Sequence, residues 1–412
     1  MAEKRNVLIA LVGNPVHTAS QHDALRPLLK AFKDELKRLA GGAYDPKCCY
    51  VAAPLGSGPD NGYLQDAIRA AIKEERPHVI VPIASAATRA AKDVVDRDYA
   101  GDRIPIVFTV VSDPKGEGII DGKPRITGVS RDLIKTAPDA VEGFADMLGR
   151  PCHIYCCFRP GLHQAECAWR EINARPPATV TLHREDIPGN DCQSFVQAVD
   201  KIPPVVDSQR TGLFMIPDDL VGRCAPDVIR AAHGRKIPTF FQQLEWVCPG
   251  KGTAGPPFAP GGYGVTAEWV GRETAGYVHP VIERPDPDAA TRDPRYPRKD
   301  ERQFRVNENV AQDDLGLKTP PGASPCEPGP ARQARPEAVV KEAPPKAGKG
   351  APAARTRAAA SEAAPPKAPR KPAKRKPAAK GKPAKKGRAA KAKKTAGRRK
   401  RTARLAARRR RR

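Results

Sequence analysis

Polar side chains follow five short apolar runs of the sequence, and their types suit the binding of a small charged molecule. They are Asn14, His17, Thr18, Ser85, Thr109, Ser112, Asp113, Arg159, Asp218 and Asp219. Amides and hydroxyls orient a ligand by hydrogen bonds, while Asp and Arg neutralise charges on it. Structural interpretations also exist, because Ser85 and Asp219 suit the first position of a helix and Asp113-Pro114 suits a plain turn. The shared location after apolar runs is therefore the stronger argument for a ligand site.

Catalytic motifs do not account for these residues. The sequence has no Gly-x-Ser-x-Gly, no His-Glu-x-x-His, no phosphate-binding glycine loop, and no Gly-x-Gly-x-x-Gly directly after a strand. The stretch "GKGTAG" lacks the Lys-Ser/Thr ending and opens no helix. The eight histidines show no ligand spacing, and residues such as His17, His22, His153 and His233 are more often surface or core residues than catalytic ones. We predict no catalytic residue, no cofactor and no metal site, and hence a protein that is not an enzyme.

Short apolar runs alternate with segments of helical period, which is typical of a parallel sheet with crossover helices. In the first helix, apolar residues recur at three- and four-residue steps from Leu25 to Leu39. The predicted strands are Val7–Val12, Cys49–Ala53, Val79–Ile83, Ile104–Val110, His153–Phe158, Val180–His183, Gly212–Ile216 and Pro238–Phe241. The predicted helices are Ala24–Leu39, Asn61–Glu74, Ser85–Arg97, Asp139–Leu148, Gln164–Asn173, Asp191–Asp200, Leu220–His233 and Ala267–Ile282.

This alternation runs through the chain twice, with a break at Ile126–Lys135. It predicts an α/β fold of two doubly wound, parallel-sheet lobes joined by a hinge. The length agrees, because single hydrophobic cores stop growing at roughly 250–300 residues. In open parallel sheets, ligands bind beyond the carboxyl ends of the strands. Two such edges facing each other would form a cleft lined by the polar residues above.

All of the net positive charge lies in the last part of the chain. Residues 331–412 contain 31 Lys and Arg and three acidic residues, whereas residues 1–330 contain 41 basic and 43 acidic residues. The segment has no Phe, Tyr or Trp and is dominated by Ala, Lys, Arg and Pro. It buries too little apolar surface to offset the entropy of ordering. We predict a disordered basic tail.

A segment of this composition binds polyanions through charge. Lys and Arg neutralise phosphates and release condensed counterions, which gives salt-sensitive affinity that is blind to sequence. Without aromatics it does not stack on bases, so the duplex backbone is favoured. Its Lys/Arg-Pro-Ala repeats resemble the tails of linker histones; a solubilising role or contact with an acidic membrane surface is the alternative. The candidate nucleic-acid-binding residues are Lys371, Lys374, Arg375, Lys376, Lys385, Lys386, Arg398, Arg399, Arg408 and Arg409.

Cysteine content and hydropathy indicate the cellular compartment of the protein. The ten cysteines are too sparse for a disulfide scaffold and include no Cys-x-x-Cys, and vicinal pairs such as Cys156-Cys157 lie in apolar runs, where cysteine acts as a small hydrophobe. No apolar stretch approaches the ~18–20 residues of a membrane span. The run Val7–Val12 is also shorter than the apolar core of a signal peptide, about 7–15 residues. These patterns predict a cytoplasmic protein; a periplasmic location, with the true start upstream, is the alternative.

Seven blocks of the sequence, spread over Asn6–Pro321, occur in the order found in a known family. They read "VIVPIASAATRAAKD", "IPIVFTVVSDPKGEGII", "ITGVS", "GLFMIPDDLV", "KIPTFF", "GGYGV…GRETAG" and "FRVNENVAQDDLGLKTPP". The chain thus resembles the ABC transporter substrate-binding proteins whose better-known members bind tryptophan and related aromatic amino acids. The resemblance implies a two-lobed periplasmic-binding-protein fold with three interlobe crossovers that closes on a small ligand.

The resemblance also implies where the ligand binds. The family's ligand loops correspond to Asn14–Thr18, Ala84–Ala87, Thr109–Asp113, Phe158–Gly161, Asp218-Asp219 and Gly262–Gly264. It thereby adds Ala86 and Tyr263 to the candidate ligand-binding residues. Backbone amides at the start of the helix at Ser85 suit a carboxylate, and Asp113 or Asp218 suits an ammonium group. Arg159-Pro160 replaces the Asn-Pro usual in the family, which favours a more acidic ligand, and Pro249–Gly262 resembles an insertion.

These inferences combine into one expected organisation. Residues 1–128 and 248–275 are expected to form the N-terminal lobe, residues 129–247 and 276–322 the C-terminal lobe, and residues 323–412 the disordered tail. The predicted function is non-catalytic binding of an amino-acid-like molecule by the lobes, with binding of DNA or RNA by the tail. One alternative is a periplasmic solute receptor that delivers its ligand to an ABC permease. The other is a DNA-associated regulator that responds to a ligand.

Overall fold

Alternating strands and helices build two separate β-sheets in the computed structural model of the protein. The structure describes residues 3–12, 19–53, 62–102, 104–121, 125–217, 219–248, 258–283 and 293–326. They lie in the first of the two compact units of the chain, residues 1–339. The tail was predicted to be disordered from residue 323, but residues 324–325 form a short strand and Cys326 lies in a disulfide. Residues from 327 onward lie outside the described part, so the rest of that prediction stays a prediction.

The strands and helices are numbered in chain order. The strands are β1 (Glu3–Val12), β2 (Tyr44–Ala53), β3 (Val79–Pro82), β4 (Ile106–Thr109), β5 (Ile126–Val129), β6 (Cys152–Phe158), β7 (Val180–Asp186), β8 (Val205–Val206), β9 (Gln209–Met215), β10 (Thr239–Phe241), β11 (Gly261–Gly264), β12 (Gln303–Val306) and β13 (Ser324–Pro325). The helices are α1 (Ala19–Ala40), α2 (Gly62–Glu75), α3 (Ala84–Asp98), α4 (Leu133–Leu148), α5 (His163–Ala174), α6 (Cys192–Lys201), α7 (Asp219–Gly234) and α8 (Ala267–Glu283).

The two sheets share one strand order. The first sheet runs β2-β1-β3-β4-β5 with all pairs parallel. In the second sheet, β7-β6-β9-β10-β11 repeats that order, again in parallel, and β12 continues it antiparallel to β11. This is the doubly wound order in which ligands bind at the carboxyl ends of the strands. The predicted α/β fold of two doubly wound sheets is confirmed.

Each sheet is buried on both faces, which explains the near-continuous apolar runs of its inner strands. Helices α2 and α3 cover one face of the first sheet around Leu8 and Phe108. The opposite face packs on α1 and α8 through Phe32 and Val278. The second sheet has the same two-sided arrangement, with α4 and α5 on one face and α6 and α7 on the other. All eight predicted helices are present, with ends that differ by a few residues.

Strands β5, β8, β11, β12 and β13 were not predicted, and three differences concern the division into lobes. The expected break at Ile126–Lys135 contains the edge strand β5 and, after a connection of three residues, the start of α4. Residues 261–264, expected in the N-terminal lobe, form β11 of the second sheet. Helix α8 as a whole packs against α1 and the first sheet, although its second half was expected in the other lobe. Residues 261–264, "GGYG", form a strand because they pair with β10 and β12, and not because of their local propensity.

Four of the cysteines form two disulfides, which the spacing in the sequence did not predict. Cys192 on α6 pairs with Cys224 on α7, and Cys248 pairs with Cys326. Cys156 and Cys157 are free and buried, as expected for small hydrophobes. Burial raises the pKa of both thiols well above the usual value, so they stay protonated and unreactive. Among the described helices, none combines the length and apolar character that a membrane span requires.

Candidate functional site

Ser85 and Glu117 meet at the carboxyl end of the first sheet. Ser85 is the second residue of α3, which follows β3, and its hydroxyl donates a hydrogen bond of 2.9 Å to Glu117 Oε1. Arg89, one turn further along α3, donates to Glu117 Oε2 at 2.7 Å. Burial raises the pKa of Glu117 more than these two contacts lower it. The Glu117 carboxylate, which is largely shielded from solvent, is thus held at the strand end by the Ser85 hydroxyl and the Arg89 guanidinium.

The start of α3 favours negative charge. Its first residue, Ala84, follows Ile83, whose side chain makes no capping hydrogen bond. Amides in the first turn of a helix have no partner within the helix, and the helix dipole adds partial positive charge there. Ser85 and the half-buried Ala86, both expected in the ligand site, lie in this turn, and Ala86 already has a polar partner. The partial positive charge of the helix start therefore favours a carboxylate nearby.

Asp113 links the first sheet to the second. It follows β4, and its Oδ2 lies 2.9 Å from Nε2 of His163, the first residue of α5 after β6. The amide of Gly116 donates to the other carboxylate oxygen at 2.8 Å, and the Glu117 amide donates to the Asp113 carbonyl at 3.0 Å. Burial raises the pKa of Asp113, but the hydrogen bonds from His163 and Gly116 outweigh it and the net pKa is lowered. One turn, residues 113–117, thus carries both carboxylates of the site.

Other predicted residues lie apart from this cluster. Thr109 is fully buried, and its hydroxyl accepts a hydrogen bond of 3.1 Å from Thr274 of α8, so its side chain belongs to the core. Arg159 follows β6, and its Nη1 donates to Asn190 Oδ1 at 3.2 Å. Tyr263 is half-buried on β11 beside Arg302, and burial raises its pKa. Ser112 is nearly buried, and its carbonyl accepts a hydrogen bond from the Ser130 hydroxyl.

A buried polar network fixes the segment that connects β5 to α4. Arg131 Nη1 donates to Glu245 Oε1 at 2.8 Å, and the two side chains are only 2% and 9% exposed. Gln242, just after β10, donates to the Leu133 carbonyl and to Thr136 Oγ1 at 2.8 and 2.9 Å. The network ties the crossing between the two sheets to the end of β10. Sequence reasoning missed it, although Arg131-Asp132 directly after an apolar strand was a usable signal.

The remaining predicted residues lie outside the described part of the chain. For the ligand site these are Asn14, His17, Thr18 and Asp218, and the side chain of Asp219. The ten Lys and Arg residues chosen for nucleic-acid binding, Lys371 to Arg409, lie outside it as well. Their roles stay predictions. Glu117 and His163 were not predicted, because each enters the site through a turn or helix start contributed by a different part of the chain.

A cavity of 370 Å³ opens at the opposite edge of the second sheet. Arg150, Pro151 and Arg210 line it at the amino ends of β6 and β9. Arg159 and His163 lie beyond the carboxyl end of β6, so the cavity and the cluster at Asp113 are at opposite ends of that strand. In doubly wound sheets the carboxyl end is the ligand side. The cavity is therefore not the candidate solute site.

Solved structures of other proteins support the α/β fold of two doubly wound sheets. The chain is similar to a conserved domain protein from Vibrio cholerae O1 biovar El Tor, at 21% identity and a TM-score of 0.59 over 78% of this chain and 99% of that one. A Streptococcus pneumoniae ABC domain in complex with L-Trp matches at 14% identity and a TM-score of 0.55, over 78% and 100%. An arabinose-binding protein from Geobacillus stearothermophilus matches at 11% identity and a TM-score of 0.52, over 76% and 99%.

At these identities the similarity shows the fold, which is that of the type I periplasmic binding proteins. No curated protein matches the sequence. The family model described as ABC transporter substrate binding protein matches residues 17–319, well over half of the chain. The chain therefore belongs to the ABC transporter substrate-binding protein family, whose members bind solutes and do not act as enzymes.

Proposed function

We propose that this protein binds an amino-acid-like zwitterion at the carboxyl ends of its two sheets. The observation that carries the proposal is the pairing of a helix start that has no side-chain cap with the buried Glu117 carboxylate beside it. The first turn of α3 suits the ligand carboxylate. Glu117, which Ser85 and Arg89 hold beside that turn, suits the ligand ammonium group. Opposite ligand charges thus meet opposite protein charges within one site.

The charges of the site favour an amino-acid-like zwitterion over a neutral sugar. One solved neighbour holds L-Trp and another binds arabinose, so the fold by itself accommodates both classes. A neutral ligand would leave the buried Glu117 carboxylate without an added counter-charge as solvent leaves the site, which is costly. A zwitterion compensates that cost. Arg159 at the end of β6 favours an acidic side chain on the ligand, and tryptophan-type ligands are the family alternative.

A thermal-shift screen of the full chain tests the ligand class. An amino acid present at 100 times its dissociation constant should stabilise the fold by about 2.7 kcal/mol. We expect shifts with acidic or aromatic amino acids and none with pentoses or hexoses. Glu117→Gln should weaken amino-acid binding at least tenfold, about 1.4 kcal/mol, because the ammonium group loses its counter-charge. Glu171→Gln, an exposed change on α5, is the matched control and should bind as the wild type does.

Sugar binding without amino-acid binding, or unchanged affinity in Glu117→Gln, would contradict the proposal. An equal loss of affinity in the control Glu171→Gln would point to a general effect of substitution and not to a role of Glu117. Affinities measured by calorimetry at one ionic strength separate these cases.

We further propose that binding takes place in an oxidising compartment and serves an ABC permease. Disulfides Cys192–Cys224 and Cys248–Cys326 persist where the surroundings are oxidising. This favours the periplasmic alternative over the cytoplasmic location expected from the sequence. Fractionation of native cells with N-terminal sequencing of the protein tests it. A processed species outside the cytoplasm is the expected result, and an unprocessed cytoplasmic species with reduced cysteines contradicts it.

Binding of a polyanion by the basic tail is a second candidate function, and the division of charge favours it. The 31 Lys and Arg of residues 331–412 face only three acidic residues in the same segment. If phosphate contacts supply the affinity, DNA binding measured by anisotropy should fall about 10³-fold or more between 50 and 200 mM salt. A chain ending at Gly329 should not bind. Salt-independent binding, or binding by the shortened chain, contradicts this function for the tail.

A further inference from the structure

Three side chains with metal-binding atoms converge where the two sheets meet. His163 and Cys167 lie four residues apart on α5, so both face the same side of that helix. Asp113 approaches from the turn after β4 in the first sheet. One oxygen, one nitrogen and one sulfur atom of these residues all lie within 4.8 Å of one another. Spacing of four residues on a helix is a usual way to place two ligands on one metal ion.

The distances already approach those of a tetrahedral site. Bond lengths of ~2.0 Å for nitrogen or oxygen and ~2.3 Å for sulfur place neighbouring ligand atoms about 3.3–3.5 Å apart. Nε2 of His163 lies 3.6 Å from Cys167 Sγ and 2.9 Å from Asp113 Oδ2. The same nitrogen is nearest to both partners, since Nδ1 is 4.0 Å from the sulfur. To admit an ion, Asp113 Oδ2 and His163 Nε2 would separate by a few tenths of an ångström, and the Asp113 oxygen and Cys167 sulfur, which lie within 4.8 Å of each other, would adopt the same spacing.

From this geometry we propose a binding site for Zn²⁺ or a similar divalent transition metal on Asp113, His163 and Cys167. Carboxylate, imidazole and thiolate together select borderline-soft ions of the zinc class over Mg²⁺ or Ca²⁺, which prefer oxygen alone. Three protein ligands leave a fourth position for water or for a ligand atom. The site was not expected from the sequence, because its third ligand lies 50 residues before His163.

Neighbouring groups orient the ligands. The Gly116 amide donates to Asp113 Oδ1, which leaves Oδ2 directed at the shared point. Arg170 Nη2 lies 2.9 Å from Cys167 Sγ, and its charge opposes a bare cation. The carboxylate and the thiolate neutralise the two charges of the ion, so the guanidinium faces a centre without net charge and donates a hydrogen bond to its sulfur. Such outer contacts are usual around ligating residues.

The proposed metal site takes its ligands from both sheets, so a bound ion would connect them. Asp113 belongs to the first sheet, whereas His163 and Cys167 belong to the helix that follows β6 of the second. A bound ion would therefore hold the two carboxyl edges together, beside the turn that carries Glu117. This goes beyond the proposed solute binding, because a metal ion would bias the arrangement of the two sheets whether or not a solute is present.

Metal titration of the full chain tests the proposal. The purified protein is freed of metal by a chelator, kept without air and added thiols, and titrated with Zn²⁺ against a competing indicator. We expect one Zn²⁺ per chain, and Co²⁺ in its place should show thiolate-to-metal charge transfer and the intense visible bands of a tetrahedral ion. Cys167→Ser should abolish the charge-transfer band and lower Zn²⁺ affinity at least about tenfold. Cys49→Ser, which removes another half-buried free thiol, is the matched control and should change neither.

Substitution of each metal-binding residue tests a separate part of the proposal. His163→Gln should lower Zn²⁺ affinity at least as much as Cys167→Ser, and circular dichroism establishes that both variants are folded. Asp113→Asn should also lower it about tenfold or more, because it removes the ligand from the first sheet. Unchanged affinity in Asp113→Asn overturns the link between the sheets. A wild-type Co²⁺ spectrum without a thiolate band overturns the site itself, and this result does not depend on any variant.

Discussion

At the scale of single residues, Arg131 and Glu245 show how the crossing between the sheets is held. The pair is almost fully buried, and Arg131 Nε and Glu245 Oε2 have no hydrogen-bond partner among the described residues. Buried ion pairs of this kind contribute little net stability, but removal of one partner leaves an uncompensated charge in the interior. The pair therefore specifies one geometry of the crossing more than it stabilises the fold.

Single and double variants of the Arg131–Glu245 pair should have unequal effects on stability. Arg131→Met should lower the free energy of unfolding by about 3–5 kcal/mol, because Glu245 is left buried and unpaired. The double variant Arg131→Met/Glu245→Leu should recover most of that loss. Urea unfolding followed by fluorescence measures both. A single variant that unfolds like the wild type, or a double variant as unstable as the single, would contradict the interpretation.

Sequence reasoning at this scale found the right edge of the sheet but not all of its residues. Ser85 and Asp113 were predicted because they directly follow apolar strands, and the structure places both beside one turn. Glu117 and His163 were not predicted, since turn geometry and the start of α5 bring them there. Thr109 satisfied the same rule and is nevertheless buried against α8. Position along a strand predicts the edge, whereas the direction of a side chain depends on which helix covers the strand.

At the scale of elements, the contact between α1 and α8 depends on one glycine. A Cβ at Gly271 would lie 2.3 Å from the Leu28 carbonyl oxygen and 2.9 Å from the Phe32 nitrogen, both backbone atoms of α1. Backbone atoms cannot rotate away as a side chain end can. The glycine thus allows α8, which comes late in the chain, to lie directly on the first helix and cover the first sheet.

Two alanine variants of α8 should consequently act in opposite directions. Gly271→Ala should lower the free energy of unfolding by about 1–3 kcal/mol, the usual range for an overpacked core. A Cβ at Gly276 meets nothing within 4 Å. Gly276→Ala should raise stability by about 0.5–1 kcal/mol, because alanine favours the helix. Thermal unfolding of both variants checks this, and equal effects would show that the close approach of α1 to α8 is not what Gly271 provides.

Helical and strand elements were largely predictable, and the exceptions have a common cause. All eight helices follow from apolar spacing, which depends on residues close in sequence. Strands β5, β8, β11, β12 and β13 were not predicted. For β5 and β11 the reason is that "ITGV" and "GGYG" carry weak local signals. Their neighbours β4, β10 and β12 supply the hydrogen bonds that make them strands. Pairing between distant parts of the chain cannot be read from a local pattern.

At the scale of the whole molecule, one strand order used twice accounts for the position of the site. β1 and β6 hold equivalent places in two sheets of the same strand order, and the carboxyl ends after β3, β4 and β6 contribute the residues that meet at Asp113. The repeat could be predicted from the alternation of patterns. Contact between its halves could not, since it depends on Asp113 and His163, which only the folded chain brings together.

The disulfides restrict the unfolded chain. Cys192–Cys224 closes a loop with a sequence separation of 32, and Cys248–Cys326 one of 78. In the chain-entropy model, loss of the first should lower the free energy of unfolding by about 3–4 kcal/mol and loss of the second by about 4–5 kcal/mol. Urea unfolding of the paired Cys→Ala variants without reductant measures this. Cys49→Ala, with a free thiol, is the control, and an unfolding curve unchanged by reductant in the wild type would contradict the pairing.

The location of the solute site is tested by a crystal structure of the protein grown with the amino acid that gives the largest thermal shift. We expect ligand density between the carboxyl edges of the two sheets, with the ligand carboxylate at the start of α3 and its ammonium group within hydrogen-bond distance of Glu117. Ligand density at the opposite edge, in the cavity lined by Arg150 and Arg210, would contradict the account.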